Sequence, residues 1–313
     1  MLLKMNPLYV CVVFISLLHQ CLTDHSYPLN GRDALKVRFN EFKDVPRTRA
    51  EAEAQNFTKV SECLTNHYRG IQYMKDGDVT VIPLYDINGY IAGLQTGLPV
   101  GLENGYPSEE LKPPFIIDGQ HYKLTAYFVN PEIICRRGRS TQQYRMHGTG
   151  NDLFIQTGPD PEVDLMEIDE HESETTWVKG LCFPKMGFHY FKDLEVNMRC
   201  ETFFPVATLY YHGRLQGFVW SFGAILNSSY VSYEYPEPEF FLELMEEVPV
   251  CLNSLRRSTL HIYFRSNPET FTCQEMTTPS NARKCPVSDG NVSRVNTGIL
   301  ATIAGIYVFI KLI

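Results

Sequence analysis

The sequence predicts a mainly β protein with a few short helices, built as two similar β-rich units and stapled by disulfides. Landmarks recurring in both halves carry the first part of that prediction. Cys182-Phe183-Pro184-Lys185-Met186-Gly187-Phe188-His189-Tyr190 is followed by Leu209-Tyr210, Gly213 and Gly217, and Cys63 with His67-Tyr68 is followed by Leu84-Tyr85, Gly89 and Gly93. Tyr106-Pro107 is echoed by Tyr235-Pro236. Tyr127-Phe128 with Asn130-Pro131-Glu132 and Cys135 is echoed by Tyr263-Phe264 with Asn267-Pro268-Glu269 and Cys273. The offset grows along the chain, as it does when the second copy of a duplicated unit collects insertions. Composition adds a second observation: 18 Tyr and 19 Phe, with 21 Gly and 19 Pro spread throughout, suit short strands joined by turns. The third observation is that a cysteine opens and closes each unit.

The chain has 313 residues, 44% of them hydrophobic, which is enough for one large domain or two ordinary ones. A net charge of −8 and the lack of a basic stripe exclude a nucleic-acid surface, because a phosphate backbone needs clustered Lys and Arg.

Taken in order, residues 1–23 read as a secretory signal, with Lys4, an apolar run over 8–18 and cleavage after Thr23. Residues 24–58 are an N-terminal segment, in which Ala and Glu over 47–57 predict a short helix. The first unit covers 59–140, with strands at 79–85, 115–117 and 122–129. Pro83 marks an edge or bulge, and Asn88-Gly89 marks a hairpin whose two central residues need positive φ. Residues 141–176, rich in Asp and Glu between Asp160 and Glu174, read as an exposed connector; their spacing fits no EF-hand calcium loop. The second unit covers 177–276, with strands at 206–211, 215–222, 229–235 and 259–264 and His212-Gly213 in the matching turn. Phe240, Phe241, Leu244 and Val248 predict a helix over 237–247.

A stalk over 277–288 leads to a second processing signal. The apolar tail over 297–313 is short for a membrane span and lies behind the small residues Ser288-Asp289-Gly290 and a polar spacer. That order is the signal for a glycosylphosphatidylinositol (GPI) anchor, attached at Ser288 with 289–313 removed. The expected location is the outer face of the plasma membrane.

Of nine cysteines, Cys11 and Cys21 leave with the signal, and an oxidising compartment favours pairing of the rest. The landmark order pairs Cys63 with Cys135 and Cys182 with Cys273. Cys200 and Cys251 have no echo and could pair with each other; Cys285 is then left over, either free, bridged to another chain or displacing one of these pairs. Asn56-Phe57-Thr58 and Asn227-Ser228-Ser229 are expected to carry glycans, and Asn291 leaves with the tail.

No Gly-x-Ser-x-Gly elbow, Ser-x-x-Lys pattern of the penicillin-binding type, zincin helix, phosphate-cradling loop or Cys-x-x-Cys pair is found. His67 and His189 remain, each followed by Tyr near the start of a unit. Brought together by a pseudo-twofold axis they could bind copper or zinc, with His121, His212 and His261 adding to them. The alternative is structural, each imidazole hydrogen-bonded to backbone beneath a sheet.

Cys182-x-Pro184-x-Met186-Gly187-x-His189-Tyr190, with Phe203-Phe204-Pro205-Val206 and His261-Ile262-Tyr263-Phe264-x-Ser266-Asn267-Pro268, resembles a poorly characterised family of secreted proteins with a Met-Gly-x-His-Tyr/Trp signature. The resemblance covers 182–273 and implies secretion and one fold but no activity. The expected protein is a GPI-anchored cell-surface glycoprotein, a non-enzymatic binding or structural module for an extracellular protein or glycan. It needs no cofactor and is held at the membrane by its lipid. A copper- or zinc-binding protein or metal-dependent enzyme using His67 and His189 is the alternative.

Overall fold

The computed structural model describes residues 32–273, apart from 64–66, 160, 161 and 254. The expected signal peptide, stalk and anchor signal, with Ser288, Asn291 and Cys285, lie outside these residues.

The chain opens with β1 (Lys36–Val37), β2 (Lys43–Asp44), helix α1 (Arg49–Ala54), β3 (Phe57–Lys59), β4 (Ile71–Lys75), β5 (Ile82–Tyr85) and β6 (Ile91–Pro99). After a 3-10 turn (Glu109–Leu111) come β7 (Ile116–Asp118), β8 (His121–Tyr127), α2 (Pro131–Ile134), α3 (Thr141–His147), β9 (Phe154–Gln156), β10 (Val163–Leu165) and α4 (Glu170–Ser173). The remainder supplies β11 (Val178–Phe183), β12 (Gly187–Phe191), β13 (Val206–Tyr211), β14 (Arg214–Phe222) and β15 (Ser258–Tyr263). A first antiparallel sheet runs β10-β9-β8-β6-β5-β4-β3, with β7 also on β8; a second runs β11-β12-β13-β14-β15-β1-β2. The protein is therefore mainly β, as expected. The short helix forms where Ala and Glu alternate, closed by a capping box in which Thr48 Oγ1 accepts from Glu51 N and the Glu51 carboxylate accepts from Thr48 N.

The sheets pack face to face around one aromatic core. Phe128, at the end of β8, meets Phe264 edge-on at 5.2 Å and Phe218 at 6.4 Å, across the gap between sheets. Trp220, Phe222, Leu260 and Ile262 join Leu94, Leu124 and Ile155 in the same layer. The outer faces are covered too. Ala207, Leu209, Tyr211 and Tyr263 on the second sheet lie under Phe241, Leu244 and Leu252, and Leu84 and Tyr127 on the first lie under Tyr68 and Ile134. Burial on both faces explains why the central strands read as continuous apolar runs instead of alternating.

Three disulfides join Cys63–Cys135 and Cys182–Cys273, the pairs suggested by the landmark order, and Cys200–Cys251, the two cysteines without an echo. None crosses from one sheet's segment to the other's.

The two sheets share a register. Leu84 pairs with Gly93 and Gly93 with Tyr127; Leu209 pairs with Gly217 and Gly217 with Tyr263. Each hairpin shifts register at its Leu-Tyr step. The same register sets Gln72, paired with Leu84, in the place of His189, paired with Leu209. The His-Tyr echo in the sequence thus misplaces the match: the first-sheet counterpart of His189-Tyr190 is Gln72-Tyr73, not His67-Tyr68.

Several expectations change in detail. The 141–176 connector is only partly a connector, since β9 and β10 extend the first sheet. Within its acidic run Glu170 is buried, accepting from Tyr190 Oη at 3.1 Å and Lys179 Nζ at 2.9 Å. β1 and β2 of the N-terminal segment complete the second sheet, with Lys36 opposite Tyr263. The 237–247 helix is only a 3-10 turn (Pro238–Glu243), closed by i to i+3 bonds from Phe240 N to Glu237 O at 2.9 Å and from Leu244 N to Phe241 O at 3.1 Å. Residues 229–235 form no strand and reach the sheet by one bridge, Glu234 to Thr259. Of the two turns, His212 (φ 51°) and Gly213 (φ 71°) are both left-handed, whereas at Asn88-Gly89 only Gly89 (φ 87°) is. The shorter hairpin, with Tyr211 opposite Arg214, leaves two residues to reverse the chain, and both must then turn left-handed.

Candidate functional site

Among the described residues, the facing sides of the two sheets are packed with buried aromatic and aliphatic side chains. A cavity of about 360 Å³ lies instead on the outer face of the second sheet. Its floor is made by side chains that strand alternation sends outward: His189 and Phe191 from β12, Ala207 from β13, Val219 and Ser221 from β14, and Thr259 and His261 from β15. The segment between β14 and β15 closes it from above with Glu234, Phe240, Phe241 and Leu244, and Phe39 and Met186 complete the wall.

Met186 ends the turn that leads into β12, the strand that carries His189. Met186 N donates to Phe183 O at 3.0 Å, and Gly187 (φ 85°) then passes against β13. A Cβ at Gly187 would sit 2.2 Å from Tyr210 O, so only glycine allows this approach.

The polar groups are few. Glu234 is held by Phe39 N at 2.5 Å, Thr259 Oγ1 at 3.0 Å and His261 Nδ1 at 2.5 Å, all donating to its carboxylate. Burial pushes this carboxyl up, but His261 and the hydrogen bonds outweigh burial and hold it below the usual carboxylate range. An ionised Glu234 only accepts, so His261 donates to it through Nδ1–H, and Nε2 points away from the carboxylate. His261 Nε2 has no hydrogen-bond partner among the described residues, and neither has Nδ1 or Nε2 of His189. His189 is 2% exposed, stacks on Phe191 at 6.0 Å and meets His261 with ring centres 5.9 Å apart at 88°. Burial, with His261 as the second cause, holds its pKa well below the ordinary imidazole value, so the ring is neutral at physiological pH.

The corresponding face of the first sheet differs. There Gln72 Nε2 donates to Gln95 Oε1, and Gln95 Nε2 donates to Thr125 Oγ1 at 2.7 Å, a buried and connected ladder. By register, Gln72, Gln95 and Thr125 stand where the second sheet has His189, Val219 and His261.

His189 and His67 are not brought together. His67 precedes β4 beside the outer cluster of the first sheet, where its carbonyl accepts from the Gln156 side chain. His121 begins β8 in the first sheet, and His212 sits in the β13–β14 turn against Tyr211. Only His261, of the added candidates, joins His189. Glu234 was not anticipated, because a lone Glu in a Tyr-rich run carries no signal before β15 is placed beside it. Among the described residues no group of three or more His, Cys, Asp or Glu is placed to hold a metal ion. Ser221 Oγ accepts from Arg257 Nε at 2.9 Å. Asn56 and Asn227 are both exposed.

Comparison with family models, curated proteins and solved structures gives no match.

Proposed function

We propose that this protein is a GPI-anchored cell-surface glycoprotein, made of two copies of one β unit, whose second copy binds a small and largely apolar molecule. The cavity on the second sheet carries this reading. About 360 Å³ lies in the range of small-molecule sites, and the wall is aromatic and aliphatic with a few convergent polar groups. Three buried ring nitrogens without partners mark where a ligand's polar group would bind. The shared register and the unit-internal bridges support duplication. Met186 and His189 of the Met-Gly-x-His-Tyr signature both line the cavity. The cavity favours a small molecule over the extracellular protein or glycan expected from the sequence.

Ala207 lies on the cavity floor, so Ala207→Leu extends a side chain into empty space. Binding of a fluorescent apolar probe such as anilinonaphthalene sulfonate should weaken at least about tenfold, with stability changed by less than about 1 kcal/mol. A wild-type protein that binds no such probe, or a variant that binds it equally well, removes the reading. Anchoring is tested separately. Phosphatidylinositol-specific phospholipase should release the native protein from cells, and retention after treatment rejects the anchor.

A further inference from the structure

We propose that His189, His261 and Met186 hold a monovalent copper ion in the wall of this cavity. The inference concerns the same pocket as the apolar ligand but stands on the imidazole pair, so either can fail without the other.

Unmet buried polar atoms are the starting point. A buried nitrogen without a partner costs about 1–3 kcal/mol, and three of them meet here on two adjacent rings. The first sheet shows how the same positions are satisfied within the protein, by the Gln72–Gln95–Thr125 ladder. In the second sheet Val219 replaces the central amide and leaves the flanking imidazoles without a link. Something from outside the chain then supplies their partner.

The chemistry of the rings selects a cation. Glu234 accepts the Nδ1–H hydrogen bond of His261, which leaves Nε2 of that ring to face an ion, the arrangement by which an outer carboxylate orients a metal-binding histidine. His189 is buried, and neither of its ring nitrogens has a hydrogen-bond partner among the described residues, so one of them is open to an ion. Spacing allows one ion to serve both. With a metal–nitrogen bond of about 2.0 Å, an ion lies about 3.1 Å from a ring centre, and two such rings span up to about 6.2 Å. The observed 5.9 Å falls inside that limit and beyond the roughly 5.1 Å of a tetrahedral angle, which corresponds to a wide, low-coordinate angle at the ion.

Three features choose copper(I). Met186, 1% exposed, brings a thioether to the same wall, and soft sulfur with imidazole favours monovalent copper. Zinc prefers four nitrogen, sulfur or carboxylate donors, and among the described residues no group of three or more His, Cys, Asp or Glu is placed to hold one ion, Glu234 being engaged by His261 Nδ1. One positive charge is balanced by Glu234 one hydrogen bond away. A divalent ion would leave a net charge among Phe191, Phe203 and Phe241, which an apolar wall cannot compensate.

The test uses native protein released from cells. Copper(I) is titrated anaerobically with ascorbate against a colorimetric copper(I) chelator. One equivalent should bind, and X-ray absorption should show two imidazole nitrogens and one sulfur. His189→Ala and His261→Ala should each lower affinity at least about 100-fold, and Glu234→Gln about 10–100-fold. His67→Ala should change nothing. If the alanine variants do not fold, His189→Gln and Met186→Leu, which keep the side-chain volume, carry the same expectation. Less than about a tenth of an equivalent bound, copper retained by a folded His189→Ala/His261→Ala protein, a copper site without sulfur, or tighter binding of zinc than of copper overturns the proposal. Apolar-probe binding by the copper-free protein is measured alongside. Probe binding without copper binding overturns this inference alone, and copper binding without probe binding overturns the ligand reading alone.

Discussion

Trp220→Ala is expected to lower the free energy of unfolding by about 3–5 kcal/mol. Trp220 lies on the inner face of β14, fully buried and edge-on to Phe218 at 5.5 Å, in the layer that joins the two sheets. Its removal leaves a cavity that strands fixed on both sides cannot close, so the loss combines transfer and void terms. Against a typical total of about 5–15 kcal/mol, this approaches the margin of the fold. Trp220→Phe separates size from polarity. The indole Nε1 has no hydrogen-bond partner among the described residues, so replacing the indole with a phenyl ring removes an unmet donor while keeping much of the volume, and the cost should stay below about 1.5 kcal/mol. Guanidinium titrations followed by circular dichroism measure both. A Trp220→Ala cost under about 1 kcal/mol would mean that the sheets are not held by this layer.

Lys123→Met should act in the opposite direction. Lys123 lies on the outer face of β8 and is 5% exposed, and burial lowers its pKa to about 8, with Asp118 offsetting part of the shift. The unfolded chain holds this proton up to a pH of about 10.4. The folded state is therefore penalised at all pH values below about 8, and the penalty is relieved as pH rises from about 8 to 10.4. A shift of this size corresponds to about 3 kcal/mol at neutral pH, an upper figure for the gain. Met keeps the length of the side chain without the charge. Urea midpoints at pH 7, 9 and 10 should show the variant more stable at pH 7, with the difference shrinking as pH rises. An equal midpoint at pH 7, or a difference constant with pH, contradicts the assignment.

Much of this architecture was legible along the chain. Phe, Tyr and Val runs place β13, β14 and β15 to within a residue or two, because those strands are buried on both faces and must be apolar throughout. Cysteines at equivalent ends of the two units indicate the bridges. The short strands did not show. β1 and β2 are two residues each and β9 and β10 three, held in place by the strand beside them, so no local pattern reports them. Residues 229–235 read as a strand from their tyrosines, yet they serve as a strap whose bridge at Glu234 brings a carboxylate to β15.

The sequence by itself determined the class of the protein: strand-rich, closed by three disulfides, with His189 among its chemically distinct residues. Only the tertiary structure decided where that histidine acts. Its place depends on pairing across β12, β13, β14 and β15, which sets His189 near His261 although 71 positions separate them in the chain. The same pairing matches His189 with Gln72 and leaves His67 aside. A shared sequence order cannot distinguish these alternatives, because a register slip of one residue sends a side chain to the other face of the sheet, and only the packed sheets select the register.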